Sequence, residues 1–171
     1  MFPSHDRGSV KERINFALKY LQEKHNIPKH VAAGILGNFR QESDLYTGAL
    51  GDNDASFGIA QWQKERRTNL NNWASQNKRD VNNLETQLDF AILEASQRGD
   101  LQAAMKAKTP RDAAYIWAQR FERPKIIDNN RLNYAEQINE YKEGGTYDLS
   151  VKDLLKLQRA GIKYKLIWEQ Q

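Results

Sequence analysis

Cysteine is absent from the 171 residues of this chain. Its absence excludes a disulfide framework, a Cys-ligated zinc site and thiol catalysis, and leaves non-covalent packing to hold the fold. Histidine is scarce, present only as His5, His25 and His30. Pro28 interrupts any helical face that His25 and His30 would share, so no metal and no other cofactor is expected. Long apolar runs are missing as well: nothing approaches the ~18 residues needed to cross a bilayer, and Met1–Arg13 is too polar for the apolar stretch of a signal peptide. No membrane span and no signal peptide are expected, and the chain is placed in the cytosol of its synthesis or exported by a route it does not encode. Charge of one sign is not in excess, since 26 Lys and Arg stand against 22 Asp and Glu for a net +4. The basic residues are scattered through the chain, so nucleic acid is not an expected partner. With 39% hydrophobic and 10% aromatic residues, the composition supplies a core, and the length suits one domain with a short appendage.

Helical periodicity dominates what is present. Ser9 and Glu12 have capping-box spacing, and Val10, Ile14, Ala17, Leu18 and Leu21 follow at helical period, predicting a helix from Val10 to Lys24. Pro28 suits the first turn of a second helix, with Val31, Ile35 and Phe39 on one stripe, that ends near Glu42 or Ser43. Periodicity then lapses from Asp44 to Gln61, where Gly48, Gly51, Asp52, Asn53, Asp54 and Gly58 supply turn chemistry. A loop of that length in a compact domain implies a function, a small β-hairpin, or both. Helices are predicted again over Lys64 to Gln76, from an Asn82–Glu85 capping pair to Gly99, and from Thr109 to Pro124, with Asp100 capping a short turn between the last two. A last helix spans Asn129 to Tyr141, and Gly144-Gly145 mark a boundary. The expected organisation is an N-terminal arm over residues 1–9, a mainly α domain with a small β lobe over 10–145, and a helix-strand appendage over 146–171. That appendage is either a clasp on the domain or a docking element for another protein.

Chemistry concentrates at Glu42. It falls three residues after Phe39 on the same helical face, so a carboxylate meets an apolar stripe in the last turn. Partial burial and the negative end of the helix dipole both favour the protonated form, which is what a general acid requires. The competing reading is an ordinary ion pair, with Arg40 as the nearest partner in sequence.

Gln41-Glu42-Ser43, followed by Ser56-Phe57-Gly58-Ile59-Ala60-Gln61-Trp62, resembles two linked signatures of the lysozyme superfamily. These are a Glu-Ser pair at a helix end and the Gly-Leu-Met-Gln-like turn of goose-type lysozymes and soluble lytic transglycosylases. Together with Gly51-Asp52, Leu84-Glu85-Thr86-Gln87-Leu88 and Phe121-Glu122-Arg123-Pro124, the string most resembles the phage tail-type lysozyme domain, over about Val10 to Lys125. The resemblance implies a lysozyme-like helical fold with Glu42 as the catalytic acid. Asp52, five residues before Phe57, matches the aspartate that positions the attacking water in goose-type enzymes. A second aspartate of those enzymes is replaced here by Gln63, while Asp54 either substitutes for it or caps a turn. Sugar rings present C–H faces to aromatics and hydroxyls to polar groups, so Ser56, Phe57, Gln61, Trp62 and Tyr115 are the candidate substrate-binding residues. Trp62, Trp73 and Trp117 also suit a core, and Glu122 reads as structural, paired with Arg123 or Arg120.

The implied activity is a peptidoglycan muramidase, a glycoside hydrolase cutting the β-1,4 bond between N-acetylmuramic acid and N-acetylglucosamine. Its implied setting is a phage virion, tail or lysis system, with glycan strands as substrate and virion proteins as partners of the appendage. Two alternatives stand beside it: a lytic transglycosylase giving 1,6-anhydro ends, and a non-catalytic virion module on a lysozyme scaffold.

Overall fold

The structure, a computed structural model, describes residues 8–142. The chain divides into two units, Met1–Tyr141 and Lys142–Gln171. The expected helix and strand of residues 146–171 lie outside the described residues. The first unit is mainly α with a small antiparallel sheet, the architecture expected from the periodicity.

Helix α1 (Val10–His25) opens on the predicted capping box, in which the Ser9 hydroxyl accepts from the Glu12 amide and the Glu12 carboxylate accepts from the Ser9 amide. Pro28 stands one position outside α2 (Lys29–Ser43), not within its first turn. Every residue of α2 from Val31 to Phe39 is buried, which sets it at the centre of the fold. Its closest neighbours are α6 (Pro110–Trp117) and α7 (Asn129–Asn139). Two glycines permit that approach. A Cβ on Gly34 would lie 2.5 Å from the Ala113 Cβ, and one on Gly37 would lie 2.6 Å from the Arg131 carbonyl oxygen.

The long loop after α2 does carry a small sheet, β1 (Leu50–Gly51), β2 (Ser56–Phe57) and β3 (Trp62–Gln63), in order β1-β2-β3. Helix α3 (Lys64–Gln76) follows as predicted and buries only Leu70 and Ala74. The cap of α4 (Leu84–Arg98) differs from the sequence reading. Asn83, not Asn82, accepts from the Thr86 amide, because Asn82 donates instead to the Asp80 carboxylate. Asp100 likewise is no cap: it lies inside α5 (Asp100–Ala104), buried, with Arg98 and Arg120 on its carboxylate. Thr109 caps α6 through the Asp112 amide, and α6 widens into a π-helical turn, Ala118–Glu122, that ends at left-handed Arg123 before Pro124. Below this turn Trp117 stacks on Phe121 at 4.4 Å, and Phe39 meets both edge-on.

Away from these aromatics, Asp89 on α4 is a polar hub. It accepts from the Tyr20 hydroxyl, from His25 Nε2 at 2.7 Å and from Arg79 at 2.6 Å. Burial pushes the Asp89 carboxyl up, but the donors from His25, Arg79 and Tyr20 overcome it and hold the group below its ordinary value. Tyr20 moves the other way, pushed up to about 12 by burial and by the Asp89 charge. Because the folded-state value of Asp89 is depressed, its contribution is complete above the unfolded carboxylate range and is lost as pH falls through the folded value. Asp89→Asn is therefore expected to cost about 1–3 kcal/mol at pH 7. Thermal melts should show that deficit narrowing as the pH falls below the ordinary carboxylate range and the Asp89 carboxyl takes up its proton.

Candidate active site

Helix α2 leaves the core at its last turn, and Glu42 stands there with 23% of its side chain exposed. Its partner is Arg131 of α7, whose Nη1 lies 3.0 Å from Glu42 Oε1, and not the neighbouring Arg40, which stacks over the Tyr134 ring at 4.1 Å. Arg131 is only 4% exposed and also donates to the Asn38 side-chain oxygen at 2.9 Å. Asn38, fully buried, returns its amide hydrogens to the Gly34 and Ala114 carbonyls. The guanidinium is thus fixed from below before it meets Glu42.

Ser43 explains the second half of the Glu-Ser pair. Its hydroxyl donates to the Ile59 carbonyl at 3.0 Å and so fastens the β lobe to the end of α2. The opposite face of that lobe is held by Gln87 of α4. The Gln87 side chain accepts from the Ile59 amide and donates to the Thr47 and Val81 carbonyls. Gly58 sits against it in a left-handed conformation, φ +77°, where a Cβ would come within 2.6 Å of Gln87 Oε1. Both the backbone angle and the contact exclude a larger residue.

The β1–β2 turn carries Asp52, Asn53 and Asp54, all with positive φ (50°, 55° and 68°). Asp52 is exposed and its Oδ2 accepts from Gln63 Nε2 at 2.6 Å. Glu42, Asp52 and Glu122 line one cleft of about 800 Å³ together with Gln61, Gln63, Arg66, Arg123, Pro124 and Lys125. Three carboxyls therefore share one opening.

They differ in environment. Glu122 neighbours neither of the arginines expected for it: Arg120 pairs with Asp100, and Arg123 Nε donates to the Arg120 carbonyl. Its Oε1 instead accepts from Trp117 Nε1 at 3.3 Å. The residue keeps some surface at the cleft, but its carboxyl is enclosed by protein. Burial first, and the Glu42 charge second, push it up to about 8, against the opposing pull of Arg66, Trp117 and Arg131. A carboxyl that keeps its proton at neutral pH thus faces the cleft, at a position the sequence had suggested was structural.

The other expected site residues are placed unevenly. Gln61 lines the cleft, yet its amide is spent within the lobe, donating to the Gly58 and Ala49 carbonyls and accepting from Ser56. Ser56 is buried at 1% exposure, and its hydroxyl serves Gln61, so it positions the turn and offers nothing to the cleft. Phe57 is buried under Arg67, and Trp62 is a fully buried core residue that donates to Glu94. Tyr115 is half-exposed on α6 but does not line this cleft, and Asp54 is exposed outside it, with its carbonyl accepting from Arg67. The expectation of aromatic platforms is corrected accordingly, because the hydrophobic effect has drawn the large rings of the lobe inward.

Arg131 and Arg66 escaped sequence reasoning, and Gln87 and Glu122 were met there only within motifs, without a role at the cleft. Arg66 forks onto Glu94 through two hydrogen bonds and covers the Phe121 ring at 4.6 Å. Gln87 alone had a readable signal, a polar residue between Leu84, Leu88 and Ala91 on a buried stripe.

A family model described as phage tail lysozyme matches residues 13–141 of this chain. No curated protein matches it.

Replacing Gln87 by leucine would leave the Ile59 amide and the Thr47 and Val81 carbonyls without their partner. Gln87→Leu is expected to lower stability by about 2–4 kcal/mol. Amide hydrogen exchange should quicken at Ile59 beyond the change in global stability, which separates loss of the lobe's anchor from general unfolding.

Proposed function

The chain belongs to the phage tail lysozyme family, and from that premise we propose that it is a muramidase cutting the β-1,4 bond between N-acetylmuramic acid and N-acetylglucosamine. The observation that carries this reading is the pairing of Glu42, at the end of α2, with Asp52 across one cleft. In the proposed reaction Glu42 protonates the glycosidic oxygen as the bond to the anomeric carbon breaks. Asp52, braced by Gln63, orients the water that attacks the oxocarbenium-like carbon, and its carboxylate accepts the proton that water releases. Arg131 stabilises the Glu42 carboxylate left after proton transfer. A retained water-positioning carboxylate favours hydrolysis over attack by the muramic 6-hydroxyl.

We place the enzyme in a phage particle or lysis system acting on the bacterial wall, the appendage over residues 146–171 being its candidate contact with virion proteins. A purely structural role would need no acid at the cleft, so the presence of Glu42 there supports an enzyme.

Glu42→Gln keeps shape but has no proton to give, and turbidity assays on purified walls should show a loss of about 10²–10⁴-fold with an unchanged melting profile. A folded variant that keeps wild-type lysis would remove Glu42 from this role. Mass spectrometry of the muropeptides released by the wild type should find reducing ends, whereas 1,6-anhydro ends would establish the transglycosylase.

Asp52→Asn is expected to lower the rate of lysis by at least tenfold with little change in wall binding, since orienting a general base typically contributes about 10²–10⁴-fold. Asp54→Asn, outside the cleft, should stay within about twofold of wild type by the same measure. Equal losses in the two variants would reassign Asp52 to holding the turn.

A further inference from the structure

We infer that Arg123, with Lys125 and Lys64, receives the carboxylates that a muramic acid carries, so that the cleft selects anionic strands over neutral ones. The inference rests on the muramidase reading and adds the basis on which one glycan is told from another.

The backbone at Arg123 is strained. Its φ and ψ are 55° and 48°, a left-handed conformation that a side chain disfavours, and the Pro124 that follows favours extended backbone at this position. Two bonds hold it there: the Arg123 amide donates to the Ala118 carbonyl at 2.7 Å, and Nε donates to the Arg120 carbonyl at 2.8 Å. Glycine would adopt the same angle without penalty. Strain of this kind clusters at functional positions, and what arginine adds over glycine is a guanidinium at the cleft. With Nε spent, the two Nη groups form the edge that matches a carboxylate, and among the described residues no carboxylate takes them.

Lys125 lines the cleft two residues further on, and Lys64 lines it from the start of α3, next to the Gln63 that braces Asp52. Lys64 is left-handed as well, with φ 47°. Both lysines are exposed, and neither makes an ion pair among the described residues. Arg66, the fourth cation of the cleft, differs because it is forked onto Glu94. Three cations without carboxylate partners thus line an opening whose own carboxyls, Glu65 apart, are engaged: Glu42 by Arg131, Asp52 by Gln63 and Glu122 by Trp117.

A lone lysine on an open surface is simply solvated, whereas cations gathered in a cleft bias which ligand enters it. Muramic acid suits this arrangement. Its pyranose ring is neutral at the glycosidic bond, and its charge sits on a lactyl ether, or on the stem peptide amide-linked to that ether, several bonds away. The ring can meet Glu42 and Asp52 while the carboxylates meet guanidinium and ammonium groups. A chain of N-acetylglucosamine alone has the ring and lacks the charge.

The test is binding by full-length Glu42→Gln, in which turnover does not intervene. Three probes of equal length are compared: a stem-bearing glycan, the same glycan stripped of its stems by an amidase, which frees the lactyl carboxylate, and a chitooligosaccharide. The stem-bearing glycan is expected to bind tightest, with a preference that shrinks as salt rises. Arg123→Gln, Lys125→Gln and Lys64→Gln, each added to that background, should weaken its binding about three- to tenfold and leave the chitooligosaccharide within about twofold. Arg123→Gly suits the left-handed backbone, so it should lose the same affinity with a melting temperature no lower than that of its parent, which separates lost charge from lost folding. A preference that stripped strands keep assigns the lactyl carboxylate, and one lost on stripping assigns the stem; either supports the inference. Equal binding of charged and neutral strands, or equal losses for both in the variants, would overturn it. So would a preference seen with whole walls only, which would assign the cations to wall phosphates. Lysis by the wild type is measured beside this: a chain that lyses walls without preferring charged strands defeats this inference alone, whereas one that prefers them and cuts none defeats the muramidase reading alone.

Discussion

The burial of α2 on all sides is the constraint from which the rest of the structure follows. A helix without a solvent face has to be matched on every side, and at Gly34 and Gly37 the match is backbone against α6 and α7. Contact that close leaves no slack in the separation of α2 from α7, so Arg131 reaches both Asn38 and Glu42 from one backbone position. A methyl group at Gly37 would press on the Arg131 carbonyl itself, which cannot rotate away as a side chain can. Packing and electrostatics at the cleft are therefore one problem, solved at two glycines.

Cations are distributed unevenly among the partly and fully buried carboxyls. Asp89 collects Arg79 and His25 and is held low, while Asp100 receives Arg98 and Arg120, and Glu94 receives Arg66. Glu42 receives Arg131. Glu122 is enclosed with an indole N–H as its donor and no ion pair among the described residues, and its affinity for a proton rises. Burial raises both carboxyls, but at Asp89 the donors from His25, Arg79 and Tyr20 outweigh it, whereas at Glu122 deeper burial and the Glu42 charge prevail.

Periodicity and capping made the helices legible, because both depend on residues within a turn of one another. Ser9 with Glu12, Thr109 with Asp112 and the Gly99 stop are local, and they appear where the sequence suggested. The Asn82 cap failed by one residue because Asp80 competed for it, a contest between two local bonds that spacing alone does not rank. Glu42 and Asp52 were legible as carboxyls beside turns, and both line one cleft. Arg131 was not, since its partners lie 89 and 93 residues away in the chain. Trp62 and Phe57 misled for a related reason: an aromatic next to a turn suits a sugar or a core equally, and only the packing of the lobe against Phe90 and Glu94 chooses the core.

The two walls of the cleft are built by different physics. Glu42 and Glu122 stand on a helix end and a π-helical turn that rest on Phe39, Trp117 and Phe121, so apolar packing fixes them. Asp52 stands on three consecutive left-handed residues, a conformation that costs L-residues about 1–2 kcal/mol each, although Asp and Asn tolerate it best. Polar bonds hold that turn, from Gln63 to Asp52, from Arg67 to the Asp54 carbonyl and between Ser56 and Gln61, and the first two are exposed to competing water. Each such bond contributes about 1 kcal/mol net, so the turn is the weaker wall. A bound glycan that excluded water would strengthen these bonds and leave the aromatic-backed wall unchanged. Binding of a ligand that excludes water would therefore order the Asp52 side of the cleft more than the Glu42 side.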